Sequence, residues 1–304
     1  MPAASLRALL TRAIDYAGLF PPASLDLEPA LRNHAEYVRT PEHWMLGAFV
    51  LPVGKFEAAT QQLSLFDAEH PLEISALGPK TADPSVFAAT LETIRTAIDT
   101  IQNHADGAAV VRQLEMPFPG AAALDPLGEA RRIFNEMKLR VFLEAPPNEA
   151  PATIAALAGS GLGFKLRTGG VTADAFPSGA QISCSLAAAA RHRVPIKFTA
   201  GLHHPVKLFH ESVQTKMHGF LNVLGAGVLA AEHGWSETQT EEMLAEEEPH
   251  TLVFDDDVFR WRDWRISSDQ IVIRREFVVS LGSCSFDEPR DDLRALHLLE
   301  FHRR

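Results

Sequence analysis

Cysteine is scarce in this chain, since only Cys184 and Cys284 occur among its 304 residues. Two cysteines are too few for a disulfide framework or a cysteine-rich zinc site, and they are typical of a reducing compartment. No run of about 18 apolar residues is present to span a bilayer, and residues 1–7 lack the basic and apolar regions of a signal peptide. The sequence therefore predicts a cytoplasmic protein without a membrane partner.

Positive charge is also in deficit, with 28 Lys+Arg against 39 Asp+Glu and a formal net charge of −11. A nucleic-acid or anionic-membrane surface needs a positive field, so neither is expected as the main partner. Hydrophobic residues make up 46% and charged residues 22% of the chain, which is typical of a folded protein with a large core. A small-molecule substrate is the expected partner, and a homo-oligomer stays among the alternatives.

Short apolar runs that stop at glycine or proline recur along the chain. Runs of this length, bounded by such breakers and carrying Val, Ile and Phe, are typical of buried strands. Seven of them are Ile14–Phe20, Trp44–Leu51, Leu72–Leu77, Ala109–Met116, Leu139–Ala145, Gly163–Thr168 and Val194–Ala200.

The segments between these runs carry helical signals. Asp83-Pro84 is typical of an N-cap followed by proline at the first helical position, a second helix is expected between Asp125 and Met137, and Gln181–Arg191 is rich in alanine. Strands that alternate with helices form a parallel sheet, and eight such units form a (β/α)8 barrel of the TIM type. The predicted fold class is therefore α/β, with such a barrel and a C-terminal α+β appendage.

The position of the eighth strand is left between alternatives. Phe220–Leu224 stops at Gly225 and would complete a barrel over residues 1–235, with residues 236–304 as a helix, hairpin and helix packed on it. Residues 218–233 also fit one helix. In that case the barrel closes with a strand from the C-terminal part, such as Thr251–Phe254 or Phe277–Leu281.

Two lysines are the most informative polar residues near the predicted strand ends, where such barrels build their active sites. In Phe164-Lys165-Leu166-Arg167 and Ile196-Lys197-Phe198-Thr199, apolar and polar residues alternate. The apolar face must contact the helices, so we expect Lys165 and Lys197 to point into one cavity.

Buried ammonium groups need counter-charges, which Glu115 and Glu144 supply from the fourth and fifth strands. One interpretation is a structural ion-pair network that plugs the barrel. The other is that Lys197 and Arg167 lower the pKa of Lys165, so that its neutral amine attacks a carbonyl while a glutamate moves protons. The further candidates for substrate binding are Asp15, Arg112, Arg167, Thr168, Thr199, His203 and His204.

The stretch around the two lysines resembles a known family. Residues 163–170 (GFKLRTGG) and 196–201 (IKFTAG) are similar to the sixth and seventh strands of class I deoxyribose-phosphate aldolases, which carry a Lys-x-x-Thr-Gly stretch and a second lysine before a glycine. The resemblance covers residues 161–205. It implies that Lys165 is the Schiff-base lysine and that Lys197 lowers its pKa.

The chain departs from that family at two places. Arg167 stands where the family has a small polar residue, and His203-His204-Pro205 has no counterpart there. The resemblance provides no match for the family's catalytic carboxylate, so the roles of Glu115 and Glu144 rest on their predicted positions alone.

Glycines near the last strands suggest a phosphate site. Loops after the last two strands of such barrels often bind a phosphate through backbone N–H groups, and Gly201, Gly225 and Gly227 are the candidates here. Turn formation explains the same glycines equally well.

The leading functional hypothesis is a Schiff-base-forming carbon–carbon lyase, similar to an aldolase, for a small aldehyde or keto acid with or without a phosphate. It requires no cofactor and no metal. The second hypothesis is a metal-dependent lyase or isomerase that uses His203 or His204 with the glutamates. The third is a non-catalytic barrel that acts as a binding protein. Substrate and pathway stay open.

Overall fold

The computed structural model describes residues 1–80, 86–118, 136 and 138–300. Eight parallel strands form a closed barrel, which confirms the predicted fold class. In chain order the first seven are β1 Ile14–Tyr16, β2 Leu46–Pro52, β3 Leu72–Leu77, β4 Ala109–Pro117, β5 Arg140–Glu144, β6 Gly163–Arg167 and β7 Ile196–Thr199. All seven lie where the apolar runs predicted them.

The eighth barrel strand comes from the C-terminal part of the chain. It is β13, Val278–Ser283, and it pairs with β7 on one side and with β1 on the other. The strand predicted at Phe220–Leu224 is wrong, whereas the alternative at Phe277–Leu281 is confirmed. The barrel therefore does not end at residue 235, because its closing strand lies within the segment assigned to an appendage.

Phe220–His233 is a helix that packs against the barrel. Residues 220–229 are all buried, so hydrophobic side chains surround the helix and mimic the apolar run of a buried strand. Gly234 ends the helix with φ +64°, a left-handed conformation that glycine adopts without strain. The apolar run alone therefore did not distinguish a strand from a buried helix.

Helices surround the barrel. Over the described residues they are α1 Ala4–Leu10, α2 Leu27–Tyr37, α3 Phe56–Thr60, α4 Phe87–His104, α5 Ala150–Ala156, α6 Gly179–His192, α7 Phe220–His233, α8 Glu237–Leu244, α9 Ser268–Arg275 and α10 Asp287–Ala295. The predicted helix starts at Asp83-Pro84 and Asp125 lie outside the described residues. None of these helices has both the length and the apolar character needed to cross a membrane.

Two small antiparallel sheets lie outside the barrel. Leu208–His210 (β8) pairs with Thr215–Met217 (β9) in the loop after β7. The second sheet contains β10 Leu252–Phe254, β11 Val258–Trp261 and β12 Trp264–Ser267, and its first turn lies at residues 255–257. Along the chain this sheet lies between α8 and α9, within the long segment that connects β7 to β13.

Candidate active site

Three charged residues from adjacent strands lie side by side inside the barrel. In the parallel register Glu144 of β5 pairs with Lys165 of β6, and Lys165 pairs with Lys197 of β7. Both lysines are buried, and they point into the barrel, because Lys165 contacts Glu115 of β4 and Lys197 contacts Asp15 of β1, strands that do not pair with β6 or β7.

Glu115 connects the two lysines. Its Oε2 lies 2.9 Å from Lys165 Nζ, and its Oε1 lies 2.5 Å from Lys197 Nζ. Ser75 Oγ also donates a hydrogen bond to Glu115 Oε1, at 2.5 Å. Both carboxylate oxygens are therefore occupied, and an ammonium on one strand is coupled through one carboxylate to an ammonium on the next.

Each lysine has a second carboxylate of its own. Lys165 Nζ lies 2.6 Å from Glu144 Oε2, and Lys197 Nζ lies 2.8 Å from Asp15 Oδ2. Arg167 Nε approaches the other oxygen of Glu144, at 3.5 Å. Three cations and three carboxylates thus form one continuous chain from Asp15 to Arg167.

The buried end of this series of ion pairs is Asp15, whose carboxylate also accepts hydrogen bonds from neutral donors. Asp15 Oδ2 accepts hydrogen bonds from Gln113 Nε2 at 3.0 Å and Ser280 Oγ at 2.8 Å, while Oδ1 accepts one from the backbone N–H of Ala48 at 2.7 Å. A Cβ at Gly47 would lie 2.2 Å from Asp15 Oδ1, so glycine at this position is what makes room for the carboxylate.

Phe142 packs beside Lys197, whose Nζ lies 5.4 Å from the centre of its ring. A Cβ at Gly163 would lie 2.5 Å from the Phe142 ring. Gly163 therefore leaves the space inside the barrel that this ring occupies, two residues before Lys165 on the same strand. The ring and the ammonium add a cation–π contact to the ion pairs.

The predicted lowering of the Lys165 pKa is wrong for the protein without a substrate. Burial lowers the pKa of Lys165, but the carboxylates of Glu115 and Glu144 outweigh burial and raise it above its ordinary value. The pKa of Lys197 is raised in the same way, by Asp15 and Glu115. Burial raises the pKa of Glu115, but the two lysines outweigh that and hold it well below its usual range. Arg167 does not lower the pKa of Lys165, because the carboxylate of Glu144 lies between the two cations.

Lys165 lies at a cavity of about 220 Å³ at the carboxyl ends of the strands. The cavity is also lined by Glu115, Arg167, Thr199 and His203, so it brings five of the predicted site residues together. Lys197 is 1% exposed and lines no part of it. The two lysines therefore share one charge network, but only Lys165 reaches the cavity.

A second cluster of polar residues stands at the rim of this cavity. His203 Nδ1 lies 3.1 Å from Glu288 Oε2 and 3.8 Å from Cys284 Sγ. Burial lowers the pKa of His203, but its contacts with Cys284 and Glu288 outweigh burial and raise it to about 9. His204 turns away, with Nδ1 2.7 Å from Asp292 Oδ2, and lines an adjoining cavity of about 160 Å³.

Arg112 lies at the opposite end of the barrel from the predicted site. The pairing of β3 with β4 shifts register here, since Ile74 pairs with Val111 and Ser75 with Gln113. Arg112 is the extra residue of this bulge, and its side chain reaches Glu73 at 2.9 Å near the amino-terminal ends of the strands. Its predicted role in substrate binding is therefore wrong.

Other predicted residues are present near the site but serve the backbone. Thr168 is buried, and its Oγ1 donates a hydrogen bond to the carbonyl of Ala200 at 2.7 Å. Gly201 has φ +73°, and a Cβ there would lie 2.8 Å from Gly169 Cα, so it permits two loops to meet. Asp15 is an internal ligand of Lys197 and does not line the cavity.

The predicted phosphate site is not formed. Gly225 and Gly227 lie inside α7, where a Cβ on Gly225 would meet Met243 and Phe259, and one on Gly227 would meet Val278. They are helix-packing glycines, because side chains from neighbouring elements fill the space above them. The helix leaves no free backbone N–H groups at these positions for a phosphate.

Sequence reasoning missed Cys284 and Glu288 as members of the site. Cys284 directly follows β13, so it occupies the same type of strand-end position as the other candidates. A strand predicted at Phe277–Leu281 leaves Cys284 three residues past its end, and only the observed end at Ser283 places Cys284 directly after the strand. Glu288 lies in the first turn of α10, and no sequence signal singles it out.

Comparison with known proteins gives a likeness in structure only. No family model matches the chain, and no curated protein is significantly similar to it. Among solved structures, native Haloferax volcanii malate synthase at 3 mM glyoxylate has 13% identity and a TM-score of 0.45, over 95% of this chain and 80% of that chain. Its lead(II) complex has 11% identity and a TM-score of 0.43, over 97% and 82%. Its pyruvate/acetyl-CoA ternary complex has 12% identity and a TM-score of 0.43, over 97% and 77%.

The assignment of the protein to the (β/α)8 barrels rests on its own closed strand order. Scores this low support no argument about its reaction.

Proposed function

We propose that the protein is a Schiff-base-forming carbon–carbon lyase that acts on a small aldehyde or keto acid. The observation that carries the proposal is a single buried amine, Lys165 Nζ, at the cavity with carboxylates on two sides at 2.6 and 2.9 Å. A cavity of about 220 Å³ has room for a compound of a few carbon atoms. An ion-pair plug alone would need no such space beside the amine.

Imine formation needs a neutral amine, and the neighbouring carboxylates provide a route to it. Lys165 passes a proton to Glu144, and its nitrogen lone pair attacks the substrate carbonyl carbon. The carbonyl oxygen takes up protons and leaves as water, which gives a protonated imine. Lys197 helps by sharing Glu115, because that carboxylate then stabilises the Lys165 ammonium less than an unshared one would.

Cleavage uses the imine as the electron acceptor. Glu144, which returns its proton to the departing water and so regains its carboxylate, takes the proton from a hydroxyl two carbons from the imine carbon. The adjacent carbon–carbon bond breaks, its electron pair forms an enamine, and an aldehyde leaves. Protonation of the enamine carbon and hydrolysis of the imine then release the second product and restore the amine. Arg167, half exposed at the rim, is placed to bind an anionic group of the substrate.

Trapping by borohydride tests the proposal. The full chain is incubated with acetaldehyde or pyruvate, reduced, digested and analysed by mass spectrometry. We expect a reduced adduct on Lys165, its loss in Lys165→Met, and no effect of Lys216→Met, since Lys216 is a half-exposed lysine that also pairs with a glutamate. A folded protein that gives no Lys165 adduct with any of a panel of small aldehydes and keto acids would rule the function out.

The pH dependence of trapping provides a second readout. Because the pKa of Lys165 is raised, its neutral fraction grows about tenfold per pH unit below that pKa, and trapping should accelerate from neutral to alkaline pH. In Lys197→Met, Lys165 no longer shares Glu115 with a second lysine, so the pKa of Lys165 should rise further. We therefore expect slower trapping and a pH–rate profile shifted to higher pH. A rate that is flat with pH would contradict this account of the amine.

A further inference from the structure

The rim cluster contains three atoms of metal-ligating type that lie close together. One nitrogen of His203, the sulfur of Cys284 and one carboxylate oxygen of Glu288 all lie within 4.8 Å of one another. His203 and Cys284 are buried, and Glu288 is exposed. They come from three separate segments, namely the loop after β7, the residue after β13 and the first turn of α10. The closing strand of the barrel therefore brings together residues about 80 positions apart in the chain.

The distances within the cluster fit the edges of a small coordination tetrahedron. Zinc binds nitrogen at about 2.0–2.1 Å, sulfur at about 2.3 Å and carboxylate oxygen at about 2.0–2.2 Å. At tetrahedral angles these bonds give about 3.6 Å between nitrogen and sulfur and about 3.4 Å between nitrogen and oxygen. The observed separations are 3.8 and 3.1 Å, so small side-chain movements suffice to coordinate one ion.

A Cys–His–Glu nucleophile explains the geometry less well. In a catalytic triad the base contacts the nucleophile with one ring nitrogen and the orienting carboxylate with the other. Here both Cys284 Sγ and Glu288 Oε2 approach the same atom, His203 Nδ1. The ring therefore does not relay a proton between them, whereas a metal ion binds all three.

We propose that His203, Cys284 and Glu288 bind one divalent cation of the zinc type, separately from the Schiff-base chemistry of Lys165. A thiolate with an imidazole favours zinc or cobalt over magnesium and calcium, which prefer oxygen ligands. Three protein ligands leave a fourth position open, which is typical of zinc sites that bind a substrate oxygen or water. His203 and Cys284 both line the cavity that Lys165 lines, so this position adjoins the substrate space.

Cobalt(II) serves as the probe, because a cobalt–thiolate bond produces a strong near-ultraviolet charge-transfer band. The reduced full-length protein is titrated with cobalt chloride and then with zinc chloride. We expect the band and visible transitions of tetrahedral cobalt to saturate at one equivalent, and zinc to displace them. A protein that shows no saturable thiolate band would overturn the proposal.

Variants assign the ligands. Cys284→Ser removes the thiolate and should abolish the near-ultraviolet band, and His203→Asn and Glu288→Gln should each weaken cobalt binding at least about tenfold. Cys184→Ser is the matched control, since Cys184 is the other cysteine and contacts Glu237 instead. A band that survives in Cys284→Ser or disappears in Cys184→Ser would refute the assignment.

The two proposals fail in distinguishable ways. Lys165→Met should abolish trapping and leave cobalt binding unchanged, whereas an unmodified protein that gives the Lys165 adduct but no cobalt–thiolate band would overturn the metal site alone. Loss of cobalt binding in a folded Lys165→Met protein would contradict a metal site independent of that lysine.

Discussion

Two glutamates of this barrel each bridge two cations, in opposite surroundings. Glu115 bridges Lys165 and Lys197, whose side chains are 6% and 1% exposed. Glu73 bridges Arg12 and Arg112, whose side chains are 53% and 54% exposed. Each glutamate contacts two cations, and the two bridges differ chiefly in how far those cations are buried.

The difference shows at which end of the barrel the burial of charged groups costs hydration free energy. Solvated arginines at Glu73 lose little hydration and gain little from pairing. Lysines taken out of water lose several kcal/mol of hydration each, which ion pairs offset only when every charge has partners. The chain builds such an arrangement at the carboxyl ends of the strands, beside the cavity. A hydrophobic barrel core would avoid this cost, so the network is the part of the core that packing does not explain.

Removing the bridging glutamate should produce the largest effect. Glu115→Ala leaves Lys165 with Glu144 and Lys197 with Asp15, but removes the carboxylate both share, and we expect a loss of roughly 3–5 kcal/mol in the free energy of unfolding. Glu73→Ala is the matched control, with a loss below about 1 kcal/mol. Urea denaturation measures both.

If Glu115→Ala does not fold, Glu115→Gln preserves the shape and hydrogen-bonding capacity of the side chain, and the same comparison is made with Glu73→Gln. Equal losses for the buried and exposed variants would contradict the role assigned to burial.

The second-largest effect is expected from acid, which should weaken the contacts of Glu115 with Lys165 and Lys197. The pKa of Glu115 is lower in the folded protein than its ordinary value of 4.5, so its contribution to stability is complete above that pH and is lost as the pH falls toward the folded pKa. The slope is about 1.4 kcal/mol per pH unit for one proton. Glu115→Gln should reduce this slope in acid unfolding. An unchanged slope would show that Glu115 does not titrate as proposed.

Removing one buried cation should cost less than removing the bridge. In Lys165→Met, Glu115 keeps Lys197 and Ser75, and the partly exposed Glu144 keeps Arg167. We expect a loss of roughly 1–3 kcal/mol, typical of a buried polar group left short of one partner. Thermal and urea unfolding measure it, and a loss as large as that of Glu115→Ala would mean that Lys165 itself is indispensable to the network.

The smallest effect is expected at Arg112. Its guanidinium is half exposed and Glu73 keeps Arg12, so Arg112→Ala should cost roughly 0.2–1 kcal/mol, and the loss should shrink in high salt. Urea denaturation at low and high salt measures this. A larger loss, or one that salt does not affect, would place Arg112 in a role beyond a surface ion pair.

Much of the barrel was predictable, because breakers and strand-length apolar runs reflect how buried parallel strands form. Seven strands followed that rule. The run at Phe220–Leu224 did not, since a helix buried on all sides has the same composition as a buried strand. Only the tertiary position of α7, between the barrel and α8, decides between them.

The site was predictable where it depends on alternation along one strand. Lys165 and Lys197 point inward because their neighbours are apolar, and Glu115 and Glu144 are their partners as expected. Arg112 was misplaced because a bulge is not visible in sequence. The raised pKa of Lys165 was also missed, since its direction depends on whether carboxylates or cations lie nearer.

The position of β13 has a consequence for how the chain is synthesised. Its hydrogen bonds to β1 join residues about 265 positions apart, and those to β7 span about 80. Because β13 is the partner of both β1 and β7, a sheet formed by the first seven strands alone would have two unpaired edges until residue 283 has been synthesised. Exposed strand edges invite aggregation, so this long-range closure makes the protein a candidate for chaperone assistance.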